Sequence, residues 1–158
     1  MHFSTVLPVA LIALPTILAS PTPHYYPTTP QAPFCPPKPA TPSQQHAIFF
    51  DFINKLYTLE DPTTAYLTYV SPDYINHSPY APQGRAAAIA FLNYLIPSVN
   101  RTIVHETFEG GIGFVHLNVA GGQMAVADVF RLDGTCVMEH WDVDQARPAN
   151  ATNPLALF

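Results

Sequence analysis

The sequence predicts an α+β fold, with three helical segments first and a continuous, strongly bent antiparallel sheet of four or more strands after them. Three observations carry that expectation. Apolar residues recur at helical spacing up to Leu95, runs rich in Val and aromatics replace them from Thr102 onward, and Gly pairs punctuate the second half at short intervals.

The first helix starts at Ser43, a residue that can cap it, and its apolar face is Phe49, Phe52, Ile53 and Leu56. Asp61-Pro62 sets a cap and a first-turn proline in the favoured order, so a second helix runs to about Val70. A short irregular piece, Ser71 to Pro79, follows. Gly84-Arg85 then opens a third helix through Ala86, Ala87, Ala88, Ile89, Leu92 and Leu95, which ends near Pro97. Thr102 to Phe108, Gly113 to Val119, Met124 to Leu132 and Val137 to Val143 read as strands. Gly110-Gly111, Gly121-Gly122 and Asp133-Gly134 join them into a meander. A bent sheet wrapped on helices leaves a cone-shaped hollow open at one end.

The chain of 158 residues divides into four parts. Residues 1–20 read as a secretory signal, with an apolar run from Val6 to Leu18 and small residues at Ala19-Ser20. That run is too short to span a bilayer and contains Pro8 and Pro15. Residues 21–42 hold nine of the eighteen prolines and read as an extended, disordered spacer. The folded domain is 43–147, and the Pro- and Asn-rich residues 148–158 form a loose tail. Asn76, Asn100 and Asn150 begin glycosylation sequons, with Asn76 the weakest because Pro79 follows closely; Asn100 and Asn150 are the expected glycan sites of an extracellular chain. Cys35 and Cys136 either pair, closing a loop of about 100 residues worth about 4–5 kcal/mol, or are two unrelated thiols.

Six basic and eleven acidic side chains give a net charge of −5, with no basic stripe, which argues against nucleic acid as a partner. His105-Glu106 lacks the second histidine of a zinc helix, so no metal and no cofactor is expected. There is no Gly-x-Ser-x-Gly nucleophile elbow and no phosphate loop.

Asp128 is the residue that points to chemistry. Its neighbours Ala125, Val126, Ala127, Val129 and Phe130 are all apolar. A carboxylate in such a strand is either paired, here with Arg85 or Arg131, or has its proton affinity raised as a general base requires. Abstracting a proton beside a carbonyl also needs a donor for the developing oxyanion, and His77, Tyr74 and His140 are suitable types. The last hairpin leaves two registers open. A two-residue turn at Asp133-Gly134 sets Glu139 opposite Asp128, with Phe130 and Trp141 on that face; a three-residue turn with a glycine bulge sets Met138 there, with His140 alongside. Asp142 and Asp144 read as solvated in both.

The segment Tyr74-Ile-Asn-His77-Ser-Pro79 followed by Gly84-Arg85, together with Asp128-Val-Phe-Arg131, Asp133-Gly134, Glu139-His-Trp-Asp-Val143 and Gln145, resembles the SnoaL-like polyketide cyclase group of the NTF2-like superfamily. The resemblance spans about 43–145. It departs at Thr135, where relatives usually carry lysine, and the leader and proline arm lie outside it. It implies a cofactor-independent acid/base enzyme, a cyclase, isomerase or related proton-transfer catalyst. Asp128 would move the proton, His77 would assist at the pocket mouth, and Tyr74, Phe130, Glu139, His140 and Trp141 would border the pocket. It also implies a small hydrophobic carbonyl compound as partner and pairing into a homodimer through the outer sheet face. A binding module holding a small hydrophobic ligand on the same fold, without turnover, is the alternative.

Overall fold

The computed structural model describes residues 30–158, so the expected signal and the first part of the proline arm lie outside the described residues. Helix α1 spans Pro42–Ile53 and continues into a π turn, Asn54–Thr58; α2 is Pro62–Tyr69 and α3 is Arg85–Leu95, extended by a 3₁₀ turn at Ile96–Ser98. The strands are β1 Val70–Asn76, β2 Arg101–Glu109, β3 Ile112–Val119, β4 Met124–Asp133 and β5 Cys136–Ala146. They form one sheet in the order β1-β5-β4-β3-β2.

The helices start where their caps dictate. Thr41, two residues before the expected Ser43, caps α1: its hydroxyl accepts from Gln44 N–H while the Gln44 side chain accepts from Thr41 N–H, with Pro42 in the first turn. Asp61 caps α2 through Thr64 N–H, with Pro62 in the first turn, as the sequence indicated.

The four expected strands are present and antiparallel, but the sheet is mixed. The segment expected to be irregular is β1, which runs parallel to β5 with Ile75 opposite Glu139 and Asn76 opposite His140. Parallel partners are joined by long connections, so no local turn announces the pairing. β1 covers what would otherwise be the free edge of β5.

Phe49, Phe52 and Ile53 of α1 and Leu56 of the π turn are fully buried against Val115, Leu117, Phe130 and Leu132 of the sheet. The Phe49 ring packs on Gly113: a Cβ at that position would stand 2.1 Å from the ring, so only glycine permits this close approach. The Phe52 ring meets Phe130 edge to face at 5.2 Å.

The proline arm from Pro30 to Thr41 has no helix or strand, as its composition dictates, yet it is anchored rather than loose. Cys35 and Cys136 form a disulfide with their Cα atoms 5.1 Å apart. Phe34 N–H donates to Thr68 O at 3.1 Å, and the Phe34 ring stacks on Tyr69 at 4.9 Å. Thr135 N–H donates to Lys38 O, and the buried Thr135 hydroxyl donates to Phe34 O and accepts from Lys38 N–H. Thr135, the position where the chain departs from the resemblance, is therefore the docking point of the arm. Gly134 completes it: with φ at +50° and Lys38 O within 2.0 Å of where a Cβ would stand, no side chain fits. The tail is likewise tied down, with Arg147 donating to Ala156 O and Pro154 O and Phe158 stacked on His116.

Candidate active site

Between α2, α3 and the inner sheet face lies a cavity of about 270 Å³. Most of its wall is apolar, from Phe91, Leu92, Leu95, Val99, Leu117 and Val126 among others. One polar cluster breaks that lining, built on β1, β4, β5 and the π turn after α1.

Its centre is Asp128, 3 % exposed, on β4. Tyr57 Oη–H donates to Asp128 Oδ2 at 2.5 Å, and His140 Nε2 lies 3.0 Å from Asp128 Oδ1. His140 Nδ1 lies 3.1 Å from Oδ1 of Asn76, which is 2 % exposed. The Asn76 amide has a fixed orientation: its Nδ2–H groups donate to Ala81 O and Pro82 O, while its Oδ1 accepts from Ser78 N–H. Asn76 Oδ1 can therefore only accept from His140, so Nδ1 carries a hydrogen. The contact between His140 Nε2 and Asp128 Oδ1 then requires one more proton, shared by the pair: either a neutral acid facing a neutral imidazole, or a carboxylate facing an imidazolium. This is a hydrogen-bonded acid–base couple with its orienting groups in place.

The tyrosines remain donors. Burial holds the Tyr57, Tyr66 and Tyr74 phenols above their ordinary range, and the Asp128 charge pushes each further in that direction. Neither arginine considered in the sequence reading reaches Asp128. Arg85 donates to Val70 O at 2.9 Å, and Arg131 pairs with Glu139. Arg101 lines the cavity instead. Its Nη2–H donates to Leu95 O, while the buried Nη1 has no partner. Burial lowers the proton affinity of Arg101, and the charges of Tyr57, Glu60 and Asp128 oppose that.

Several residues fall differently from the sequence reading, and one cause explains most of them. The turn tip is Gly134-Thr135, with Asp133 opposite Cys136, and the pairing then skips Met138, so Leu132 faces Val137 while Arg131 faces Glu139. Neither anticipated register occurs: Asp142, not Glu139 or Met138, stands opposite Asp128, and His140 stands opposite Phe130. Trp141 pairs with Val129 on the outer face. Glu139 is there too, accepting from Arg131 Nε and lying 2.9 Å from His77 Nε2. His77 itself is exposed, stacked on Trp141 at 4.6 Å, and borders no part of the cavity. The partner of Asp128 is His140. Tyr74 and His140 do line the cavity, whereas Phe130 packs behind it against Phe49, Phe52 and the His140 ring. Asp142 and Asp144, read as solvated, line it as well. Asn76 is buried with both amide atoms engaged, which leaves no room for a glycan in the folded chain; Asn100 and Asn150 are exposed.

Asp128, His140 and Asp142 bring possible metal-ligand atoms within 4.8 Å of one another. His140 Nε2 and Asp128 Oδ1 are already engaged with each other by a hydrogen bond. Among the described residues no helix is long and apolar enough to cross a membrane.

No protein-family model matches the chain, and no curated protein is similar to it by sequence. Solved structures are similar in fold. An NTF2-like protein of unknown function from Mesorhizobium loti is 14 % identical, with a TM-score of 0.56 over 69 % of this chain and 98 % of that one. A protein from Jannaschia, provisionally described as a SnoaL-like polyketide cyclase, is 14 % identical, with a TM-score of 0.53 over 68 % and 91 %. AclR from Streptomyces galilaeus, provisionally described as a hydroxylase, is 16 % identical, with a TM-score of 0.53 over 68 % and 93 %. The domain thus has the NTF2-like α+β fold that SnoaL-like polyketide cyclases also have.

Proposed function

We propose that the chain is a secreted, cofactor-independent acid/base enzyme of the SnoaL-like kind, moving a proton on a small, mainly apolar carbonyl compound. The observation that carries this reading is the Asp128–His140 couple, buried at the wall of an apolar cavity and oriented by Tyr57 and Asn76. With the shared proton on His140 Nε2, Asp128 is a carboxylate and takes a proton from the carbon next to the carbonyl. The C–H electron pair passes into an enolate whose oxygen is held by the free Nη1–H of Arg101. The proton held by Asp128 returns to carbon at the same or another position, which is an isomerisation; attack of the enolate carbon on a second carbonyl of the same molecule, whose oxygen then takes the proton from Asp128, is a cyclisation. The apolar wall excludes water and keeps the carboxylate reactive. Export is supported by the Cys35–Cys136 disulfide and by the exposed sequons at Asn100 and Asn150.

The test is deuterium exchange at the carbon beside the carbonyl of 2-tetralone, a compact bicyclic ketone, in D2O. The wild-type chain should accelerate exchange over buffer, and D128N should return it to the buffer rate. Saturable tetralone binding without acceleration would instead assign the cavity to a binding module.

A further inference from the structure

The cavity carries more negative charge than the proton couple uses. Asp142 and Asp144 stand two residues apart on β5 and so project from one sheet face, opposite Asp128 and Val126 of β4. Each has one carboxylate oxygen withdrawn from solvent that meets no hydrogen-bond donor. A third polar group joins them: Tyr74, 3 % exposed, turns its hydroxyl towards the Tyr66 phenol yet reaches no partner at hydrogen-bond distance. Buried polar groups without partners are costly to fold, and here three unmet oxygens line one cavity with one unmet donor, Arg101 Nη1. Burial pushes the Asp144 carboxyl up and the charges of Asp142 and Asp128 add to that, with His140 opposing. Among the described residues the one arginine in the cavity wall, Arg101, makes no hydrogen bond to either carboxylate: its Nη2–H donates to Leu95 O and its Nη1 meets no partner.

We propose that the molecule taken by this cavity carries a protonated amine, seated against Asp142, Asp144 and Tyr74, with its apolar body along Phe91, Leu92 and Leu95. An ammonium supplies both the positive charge and several N–H donors that the two free carboxylate oxygens and the phenol oxygen can accept. This rests on the reading that the cavity is a ligand site, and narrows its substrate class to basic, amine-bearing compounds.

The experiment compares dissociation constants, by calorimetry or ligand-observed NMR in the presence of a chelator, for two matched pairs: 2-aminotetralin with 2-tetralol, and cyclohexylmethylamine with cyclohexylmethanol. Each amine should bind at least about tenfold tighter than its alcohol. D142N/D144N, verified as folded by circular dichroism, should erase that preference while leaving alcohol binding in place. Equal or weaker binding of the amines, no detectable amine binding at millimolar concentration, or a preference that survives D142N/D144N would each overturn the proposal. So would selective uptake of Zn2+ lost in D142N without any amine preference, which would assign these carboxylates to a metal ion. Tetralone exchange reports separately. Exchange without amine preference sinks this inference alone, and amine preference without exchange sinks only the proton-transfer reading.

Discussion

Replacing Asp128 by Asn separates the chemistry of the site from its structure. Asn is nearly isosteric, and every contact of Asp128 can survive the exchange. Tyr57 Oη–H still donates to the side-chain oxygen, and the new Nδ2–H donates to an unprotonated His140 Nε2, since Asn76 already requires the hydrogen on Nδ1. D128N should therefore lie within about 1 kcal/mol of wild type in stability. Asp128→Ala is different, because it orphans Tyr57 Oη and His140 Nε2 together. At about 1–3 kcal/mol for each buried unmet group the loss is about 2–6 kcal/mol, towards the lower end because Tyr57 is only half-buried. Urea unfolding followed by circular dichroism gives both values. Tetralone exchange supplies the other axis, with a fall of about 10²–10⁴-fold expected in D128N as in D128A. A D128N protein destabilised as severely as D128A would refute the reasoning, since the carboxylate charge would then be a structural element locked to an imidazolium.

Three further outcomes follow from the same coordinates. H77A should leave exchange within about twofold of wild type, because His77 sits on the outer face with Glu139 and Trp141; a loss approaching that of D128N would return His77 to the reaction. C35S/C136S should lose about 4–5 kcal/mol in urea unfolding without reductant, because the disulfide closes a separation of 101 residues; a loss under about 1 kcal/mol would show that the arm's hydrogen bonds suffice alone. Burial raises the Tyr66 and Tyr74 phenols. Their contribution is complete below a pH of about 10, where both states are protonated, and is lost above it as only the unfolded chain ionises. Stability should then fall by about 1.4 kcal/mol per pH unit for each tyrosine, and a urea midpoint unchanged from about pH 9 to about pH 11 would contradict this.

The helices and four strands were legible because their signals are local: Asp61-Pro62 at a helix start, Val-rich runs, Gly pairs at turns. β1 was not, since Pro72 and Asp73 disguise it and its partner β5 lies some 60 residues away with no turn between them. Asp128 was legible as a lone acid among apolar neighbours. Its partner was not, because a turn tip shifted to Gly134-Thr135 and a bulge at Met138 together decide which face His140, Trp141 and Asp142 take. A histidine near the conspicuous Tyr74–Pro79 motif therefore looked like the better candidate than one on the hairpin itself. Asn76 was visible only as a sequon, and Tyr57 only as the residue after an apolar helix face; the π turn that carries it leaves no mark in the 3.6-residue period. Asp142 and Asp144 looked solvated because the same shift of the hairpin sets them on the cavity face, opposite Asp128 and Val126.

The most direct measurement is the ¹⁵N NMR signature of the His140 ring in wild type and D128N, assigned by comparison with a His140→Gln control. The account predicts hydrogen on Nδ1 in both proteins, held by Asn76, and an Nε2 signal that changes from proton-sharing to a bare acceptor when Asp128 becomes Asn. A ring bearing its hydrogen on Nε2 with a bare Nδ1, or an Nε2 signal indifferent to the substitution, would contradict the shared proton on which the proposed chemistry stands.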